Sequence, residues 1–331
     1  MDNNIFDTLK GKKILITGST GYLATSLISR LSDVDCSIIR LSRPGASFTP
    51  VAGRVQIQGI EGDIRKPAIW ESVLTDVDIV YHFAAQTSVY VAEKDIHQDM
   101  ENNVLPMVHL LETCRKTKLK LKVIFAGTAT EVGLPDHLPV DEFHPDQPIT
   151  VYDLHKWMAE NYLKYYTRTG EVQGVILRLT NVYGPGSKSS SADRGILNIM
   201  IRRALNGERL TIYGKGDYLR DYVYIDDVVS AFLYGAAAIE RLSGQHFVIG
   251  SGEKHTIAEA FNLVSDRVAL KTGKRVTVVH VDMPAGLSQI EFRNFVANTQ
   301  RFTESSGWQP NYSLPAGIDH TIENFLREND V

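Results

Sequence analysis

The sequence predicts an α/β protein: a doubly wound, mostly parallel sheet followed by a smaller C-terminal α/β lobe. Short apolar runs alternate with longer amphipathic segments from residue 12 to about residue 180, the pattern of buried parallel strands with helices on both faces. The first of these runs opens directly into a turn with two glycines and then a helical segment. Past that point the elements become short and irregular, which divides the chain into a domain of residues 1–180 and a lobe of residues 181–331, some of whose segments return to the first domain.

Composition narrows the class. At 331 residues, with 43% hydrophobic and 22% charged side chains, the chain has length for a large core and an ordinary globular balance. A formal charge of −4, a pI near 6.2 and no basic run argue against a nucleic-acid partner. Cys36 and Cys114 lie in apolar segments without metal-ligand spacing, so they read as core thiols and no metal is expected. No run approaches 18 apolar residues and the first seven residues carry no basic or apolar leader; the expectation is a cytoplasmic protein with no membrane partner.

Residues 12–17 read as a buried strand that runs into Gly18-Ser19-Thr20-Gly21-Tyr22-Leu23-Ala24. Two glycines at this spacing let the backbone turn tightly and approach a pyrophosphate at the N-terminus of the following helix, which makes the domain Rossmann-type. Gly18, Thr20, Gly21, Tyr22 and Leu23 are the cofactor candidates of this turn. Residues 36–41 form the second strand, followed by Ser42 and Arg43. An acid at this strand end holds ribose hydroxyls in NAD sites. Here Ser42 stands between Arg40 and Arg43, which either meet a 2′-phosphate or cap an exposed strand end, so NAD is the expected cofactor and NADP stays open.

A third strand at 56–60 leads to Asp63 and Ile64, placed to meet an adenine. A brief helix at 68–74 and a fourth strand at 78–85 follow; Phe83, Ala84 and Ala85 suit a flat cofactor, and His82 reads as structural. Residues 99–116 read as one long amphipathic helix, and a fifth strand at 121–126 empties into Gly127-Thr128-Ala129-Thr130-Glu131. Residues 132–150 read as an exposed loop and 172–178 as a sixth strand. The polar stretch 188–193 is a candidate flap over substrate, and residues 247–250 can return to the main sheet.

Tyr152 and Lys156 stand four residues apart at the start of an amphipathic segment, so on a helix they share a face. A tyrosine with a pKa of about 10 is a poor base at neutral pH, and a nearby ammonium favours its phenolate. Beside a dinucleotide pocket the set Thr128, Tyr152 and Lys156 is enough for hydride chemistry at a carbinol, with Tyr152 as acid–base group and Thr128 as hydrogen-bond donor. His155 falls one position off that face. Arg220 and Arg293 could converge on a diphosphate, whose oxygens match the guanidinium fork.

Together these segments resemble the extended short-chain dehydrogenase/reductase family, and within it the nucleotide-sugar epimerases and dehydratases. The likeness is carried by the glycine turn, His82-Phe83-Ala84-Ala85, Tyr152 with Lys156, Leu177-Arg178-Leu179-Thr180-Asn181-Val182-Tyr183-Gly184-Pro185, Arg220-Asp221-Tyr222-Val223-Tyr224-Ile225-Asp226-Asp227 and Gly307-Trp308-Gln309-Pro310. It implies a nucleoside-diphosphate sugar as substrate, with Thr87, Thr128, Thr130, Asn181, Arg220 and Arg293 on the substrate side, and a homodimer formed through the helices at 99–116 and 151–167. The family's dehydratases place an Asp-Glu pair after the catalytic threonine, where this chain has Ala129-Thr130. That pattern is most similar to the UDP-galactose 4-epimerase type. The resemblance therefore implies oxidation of a sugar carbinol, most simply C4, and re-reduction on the opposite face. A 4-keto-sugar reductase, a dehydratase or decarboxylase, and a non-catalytic dinucleotide sensor are the alternatives.

Overall fold

The computed structural model of the chain describes residues 3–186 and 195–329; the expected flap at 188–193 lies outside the described residues. Six strands, β1 (Lys13–Thr17), β2 (Ser37–Ser42), β3 (Gln56–Glu61), β4 (Ile79–His82), β5 (Lys122–Thr128) and β6 (Gln173–Leu179), join the strand Gln245–Ile249 in one sheet. Its order is β3-β2-β1-β4-β5-β6 and then Gln245–Ile249, and every neighbouring pair is parallel. Chain order reverses between β1 and β4, which opens a crevice beyond the strands' carboxyl ends. Thr17, Ser42, His82 and Thr128 are the residues that end their strands there.

Successive strand residues point to opposite faces, and the sheet uses both. Ile14, Ile16 and Ile38 join one apolar cluster with Leu27 and Ile28 of the helix Tyr22–Arg30 and with Val228 and Phe232 of the helix Ile225–Ala237. Leu15, Ile39 and Leu41 join the other with Trp70, Leu110, Leu111 and Leu163. Burial on both faces explains why these strands are continuous apolar runs instead of alternating ones.

Three expectations are corrected. The helix expected at 99–116 is two helices, Ile96–Asn103 and Leu105–Thr117. Pro106 is the cause: it has no N–H to continue the first helix and is tolerated in the first turn of the second. The stretch 132–150 is not simply an exposed loop. Val140, Glu142 and His144 are buried, Val140 bridges to Ala297, and Val140 packs with Val132, Val248, Phe295 and Ala297. The fifth strand runs two residues further than 121–126 and carries Thr128 at its end.

Beyond β6 the chain forms paired short strands: Asn181–Tyr183 with Tyr222–Tyr224, Leu219–Arg220 with His255–Thr256, and Leu210–Tyr213 with Val278–Val281. Trp308 is buried there, its indole N–H donating to Ser230 Oγ at 2.8 Å. Among the described residues no helix is long and apolar enough to cross a membrane.

Candidate active site

The turn after β1 is shaped by close approach. Gly18 has φ +63°, and a Cβ there would stand 2.9 Å from the Ala84 backbone at the end of β4. Gly21 donates to the Gly18 carbonyl at 2.8 Å and caps the helix Tyr22–Arg30 without a side-chain bond. The first N–H groups of that helix therefore have no side-chain cap, in a place where an anion is favoured. Thr17 joins the two strand ends. Its Oγ1 accepts from the amides of Phe83 and Ala84, both at 3.1 Å, and meets His82 Nδ1 at 2.9 Å. With its lone pairs on those amides, the hydroxyl proton goes to Nδ1, which requires a neutral imidazole. Burial, with the nearby Lys156 charge, holds His82 at about 3, in agreement. This cradle fits a dinucleotide.

The remaining cofactor candidates surround it. Ser42 is buried, its Oγ 3.0 Å from Ser19 Oγ and 3.4 Å from Thr20 Oγ1. Tyr22 donates to the Gly184 carbonyl at 2.9 Å, tying the turn to the chain beyond β6, and Leu23 is half-buried beside it. Arg40 turns inward to the Thr49 carbonyl at 2.7 Å and stacks its guanidinium over Phe48, whereas Arg43 is exposed. Asp63 is gripped by Arg65, whose bonds hold its carboxyl below the usual range. The Ile64 carbonyl accepts from Trp70. Ala85 and Thr87 are half-buried on the segment after β4.

The helix Val151–Arg168 begins at Thr150, whose hydroxyl caps the Asp153 amide at 3.1 Å. It brings Tyr152 and Lys156 to the interior, 6% and 3% exposed. Tyr152 packs with Val89, Ala92 and Ile290. The Lys156 ammonium lies 3.9 Å from the centre of the Phe125 ring of β5. Burial lowers its pKa to about 8, against the opposing pull of Glu131, Glu160 and Asp99. His155, which sequence reasoning set aside, is held by Asp99 at 2.7 Å, and Asp99 also accepts from Gln86 and Asn103.

Beneath the pair lies a buried ion cluster. Arg178 reaches Glu160 at 2.7 Å, Asp146 at 2.5 Å and Glu131 at 3.0 Å. Burial opposes ionisation of Glu160, but Arg178 and Lys164 outweigh it and hold its carboxyl at about 2. Burial and the Glu160 charge push Glu131 well above the usual range. Two adjacent carboxylates share the Arg178 guanidinium in a dry site, and of the two it is Glu131 whose neutral form is favoured.

Thr128, Thr130, Asn181 and Arg293 line one cavity of about 30 Å³, with Ala129, Leu179, Thr180 and Phe295. Thr128 Oγ1 is 2.7 Å from Thr130 Oγ1, and Thr130 donates to Asp153. Arg293 points a nitrogen at Asn181 Oδ1, 3.4 Å away. Arg220 is buried nearby, but its donors go to the backbone carbonyls of Leu219, Glu291 and Arg293. Its fork holds the 291–293 turn against the strand Leu219–Arg220, an arrangement its sequence position does not reveal. A much larger cavity of about 1550 Å³ lies elsewhere, between the helices Tyr22–Arg30 and Ile225–Ala237. It contains none of Thr128, Tyr152 or Lys156, and of these three Thr128 alone lines the smaller one.

Sequence reasoning missed Asp153, Asp99 and the Glu131–Glu160–Arg178 cluster. Thr150 followed by Asp153 at i, i+3 carries only the signal of a helix cap, which says nothing of the carboxylate's second partner at Thr130. Among the described residues no group of His, Cys, Asp and Glu could hold a metal ion.

The model of the NAD dependent epimerase/dehydratase family matches residues 14–250. A putative UDP-glucose 4-epimerase of Methanocaldococcus jannaschii is 29% identical over 323 residues, 96% of this chain and 99% of that protein. The crystal structure of UDP-glucose 4-epimerase from Thermotoga maritima with UDP-glucose superposes with a TM-score of 0.85 at 29% identity, covering 96% of this chain and 99% of that one. The Thermus thermophilus UDP-glucose 4-epimerase in complex with NAD gives 0.79 at 27% identity, covering 95% and 99%.

Proposed function

The chain belongs to the NAD dependent epimerase/dehydratase family, and from that premise we propose that it is an NAD-dependent nucleotide-sugar 4-epimerase acting on a UDP-hexose. The observation that carries the reading is the buried Lys156 ammonium over Phe125, one helical turn from Tyr152 on a helix tied to the Thr128 turn through Thr130 and Asp153.

Gly18, Gly21 and the uncapped helix N-terminus would hold the NAD pyrophosphate, while Phe83, Ala84 and Ala85 would lie along the nicotinamide half. NAD supplies a hydride acceptor that later acts as donor. Tyr152 takes the proton of the sugar's 4-hydroxyl, and Lys156, the nearest cation on the same helix face, stabilises the phenolate that makes this feasible. When the 4-keto sugar has turned its other face, Tyr152 returns the proton. One acid–base group serves both half-reactions, since each is the reverse of the other. Dehydration needs a carboxyl group beside Thr128. Ala129 offers a methyl group there, packed against Val132, Val140 and Phe295.

Asn181 and Arg293 would meet the diphosphate and uridine part, with Arg220 holding Arg293's turn in place. The homologues seen with UDP-glucose and with NAD support this division of the site. Leu154, Tyr162 and Tyr165 stay exposed on the helix Val151–Arg168. This stripe supports a homodimer through that helix, checked by light scattering of the wild type against Leu154→Glu.

The test is incubation with UDP-, dTDP-, CDP- and GDP-hexoses, with and without added NAD, and identification of products by mass and NMR. Conversion of a UDP-hexose into its C4 epimer, at unchanged mass, is expected. Loss of water or carbon dioxide, or stoichiometric use of NADPH, would replace epimerisation by another reaction.

A further inference from the structure

Thr130 occupies an unusual place: its hydroxyl lies between Thr128 and a carboxylate that neither the dinucleotide cradle nor the acid–base pair uses. Asp153 is fully buried, and its two oxygens accept from Thr130 Oγ1 and, at 2.7 Å, from Thr150 Oγ1. Each threonine hydroxyl has one proton, and an ionised carboxylate only accepts. The two hydroxyls that meet Asp153 favour its ionised form, and with Asp153 ionised the Thr130 proton is committed to it. The 2.7 Å contact between the two hydroxyls must then be made by the Thr128 proton. The Thr130 amide approaches Thr128 Oγ1 at 3.4 Å and also donates to it. What Thr128 has left for the cavity is a lone pair.

We propose that Asp153 is a positioning residue: acting through Thr130, it turns the Thr128 hydroxyl proton away from the sugar, so that Thr128 meets substrate as an acceptor. The inference rests on the nucleotide-sugar reading of the cavity and refines the part of Thr128 in it. Thr128 and Thr130 are 7% and 8% exposed, and hydrogen bonds in such surroundings are strong and mutually reinforcing. In the resting complex the sugar's 4-hydroxyl can donate to Thr128 and is matched, before its one proton turns to Tyr152. A ketone can only accept, and is matched only if Thr128 breaks its bond to Thr130 and rotates. The chain therefore favours the two alcohol epimers over the ketone between them and shortens the time in which that ketone could escape.

Asp153→Asn removes the direction. The new amide can donate to Thr130, and the series can then reverse until Thr128 donates into the cavity. At saturating UDP-hexose, Asp153→Asn and the chain-cutting Thr130→Val are expected to raise the steady-state near-ultraviolet absorbance of reduced nicotinamide about two- to tenfold, the worth of one redirected hydrogen bond. They should lower kcat while leaving KM within about twofold, because the change falls on the ketone and not on binding. Thr130→Ser keeps the hydroxyl and should keep the wild-type absorbance that Thr130→Val changes, whatever it does to kcat. A lower kcat with wild-type absorbance in both variants would reduce Asp153 to a structural residue and overturn the proposal.

Neutron diffraction of deuterium-exchanged wild-type crystals tests the hydrogen-bond direction with no substrate at all. A deuteron of Thr128 on the line to Thr130, and one of Thr130 on the line to Asp153, is the expected result. A deuteron on the Asp153 carboxyl, or a Thr128 deuteron aimed into the cavity, would overturn the proposal whatever reaction the protein performs. Failure of the epimerase reading would instead appear as no wild-type conversion of any hexose.

Discussion

The Lys156 ammonium stands 3.9 Å from the centre of the Phe125 ring, a cation against a π-face in a nearly solvent-free site. Such a contact is worth about 2 kcal/mol or more when desolvated, and here it partly replaces the water that Lys156 loses. Phe125 pairs in register with His82 across β4 and β5 and stacks on its ring at 5.7 Å. The Phe125 ring therefore has the Lys156 ammonium and the neutral His82 as neighbours.

Removing either partner of the acid–base pair should separate chemistry from binding. Tyr152→Phe and Lys156→Met are each expected to lower kcat by about 100-fold or more, while mass spectrometry of the denatured protein still finds dinucleotide in the Tyr152→Phe variant. Full activity in Tyr152→Phe would remove the assigned acid–base role.

The pH dependence follows from two buried bases. Lys156 titrates at about 8 in the folded chain, below its usual range. Its charge, and with it the help proposed for Tyr152, is lost as pH rises through 8, so kcat should fall on that side. The unfolded chain binds more protons between about 8 and 10.4, so stability should rise with pH across that window. His82, at about 3, has the same sign lower down: the unfolded chain protonates first, and stability is lost as pH falls from about 6.5 towards 3. Denaturant midpoints for wild type and His82→Gln check this, with a flatter acid limb expected in the variant.

Arg178 is the only guanidinium in contact with Glu131, Glu160 and Asp146 among the described residues. Arg178→Met should destabilise the protein by about 3–5 kcal/mol by stranding buried carboxylates, read from urea unfolding. A second change, Glu160→Gln, should recover part of the loss, and strict additivity would argue against a coupled cluster.

Gly18→Ala tests the cradle. The φ of +63° and the 2.9 Å approach to Ala84 should together cost about 1–3 kcal/mol, and calorimetry should show NAD binding weakened at least as strongly as folding.

Much of this could be read from the amino-acid sequence because local rules and tertiary structure agree. The apolar run before Gly18, the glycines at 18 and 21 and the Tyr152–Lys156 spacing each need only their neighbours to be interpreted, and a mostly parallel sheet follows from the alternation of strand and helix patterns up to residue 180. Other features were illegible because they depend on contacts distant in sequence. Arg220 looks like an open phosphate ligand until the 291–293 carbonyls meet it. Arg178 has an unremarkable place in a strand, yet it organises three acids from three separate segments. Pro106 carried its signal openly, and the apolar pattern across 99–116 outweighed it wrongly.

The central claim, that hydride leaves C4 and returns to C4 on the other face within one enzyme-bound cycle, is tested most directly with UDP-glucose deuterated at C4. The expected product is UDP-galactose with the deuterium still on C4 by NMR, formed without added reductant. Product with hydrogen at C4, or none of the C4 epimer, would contradict it.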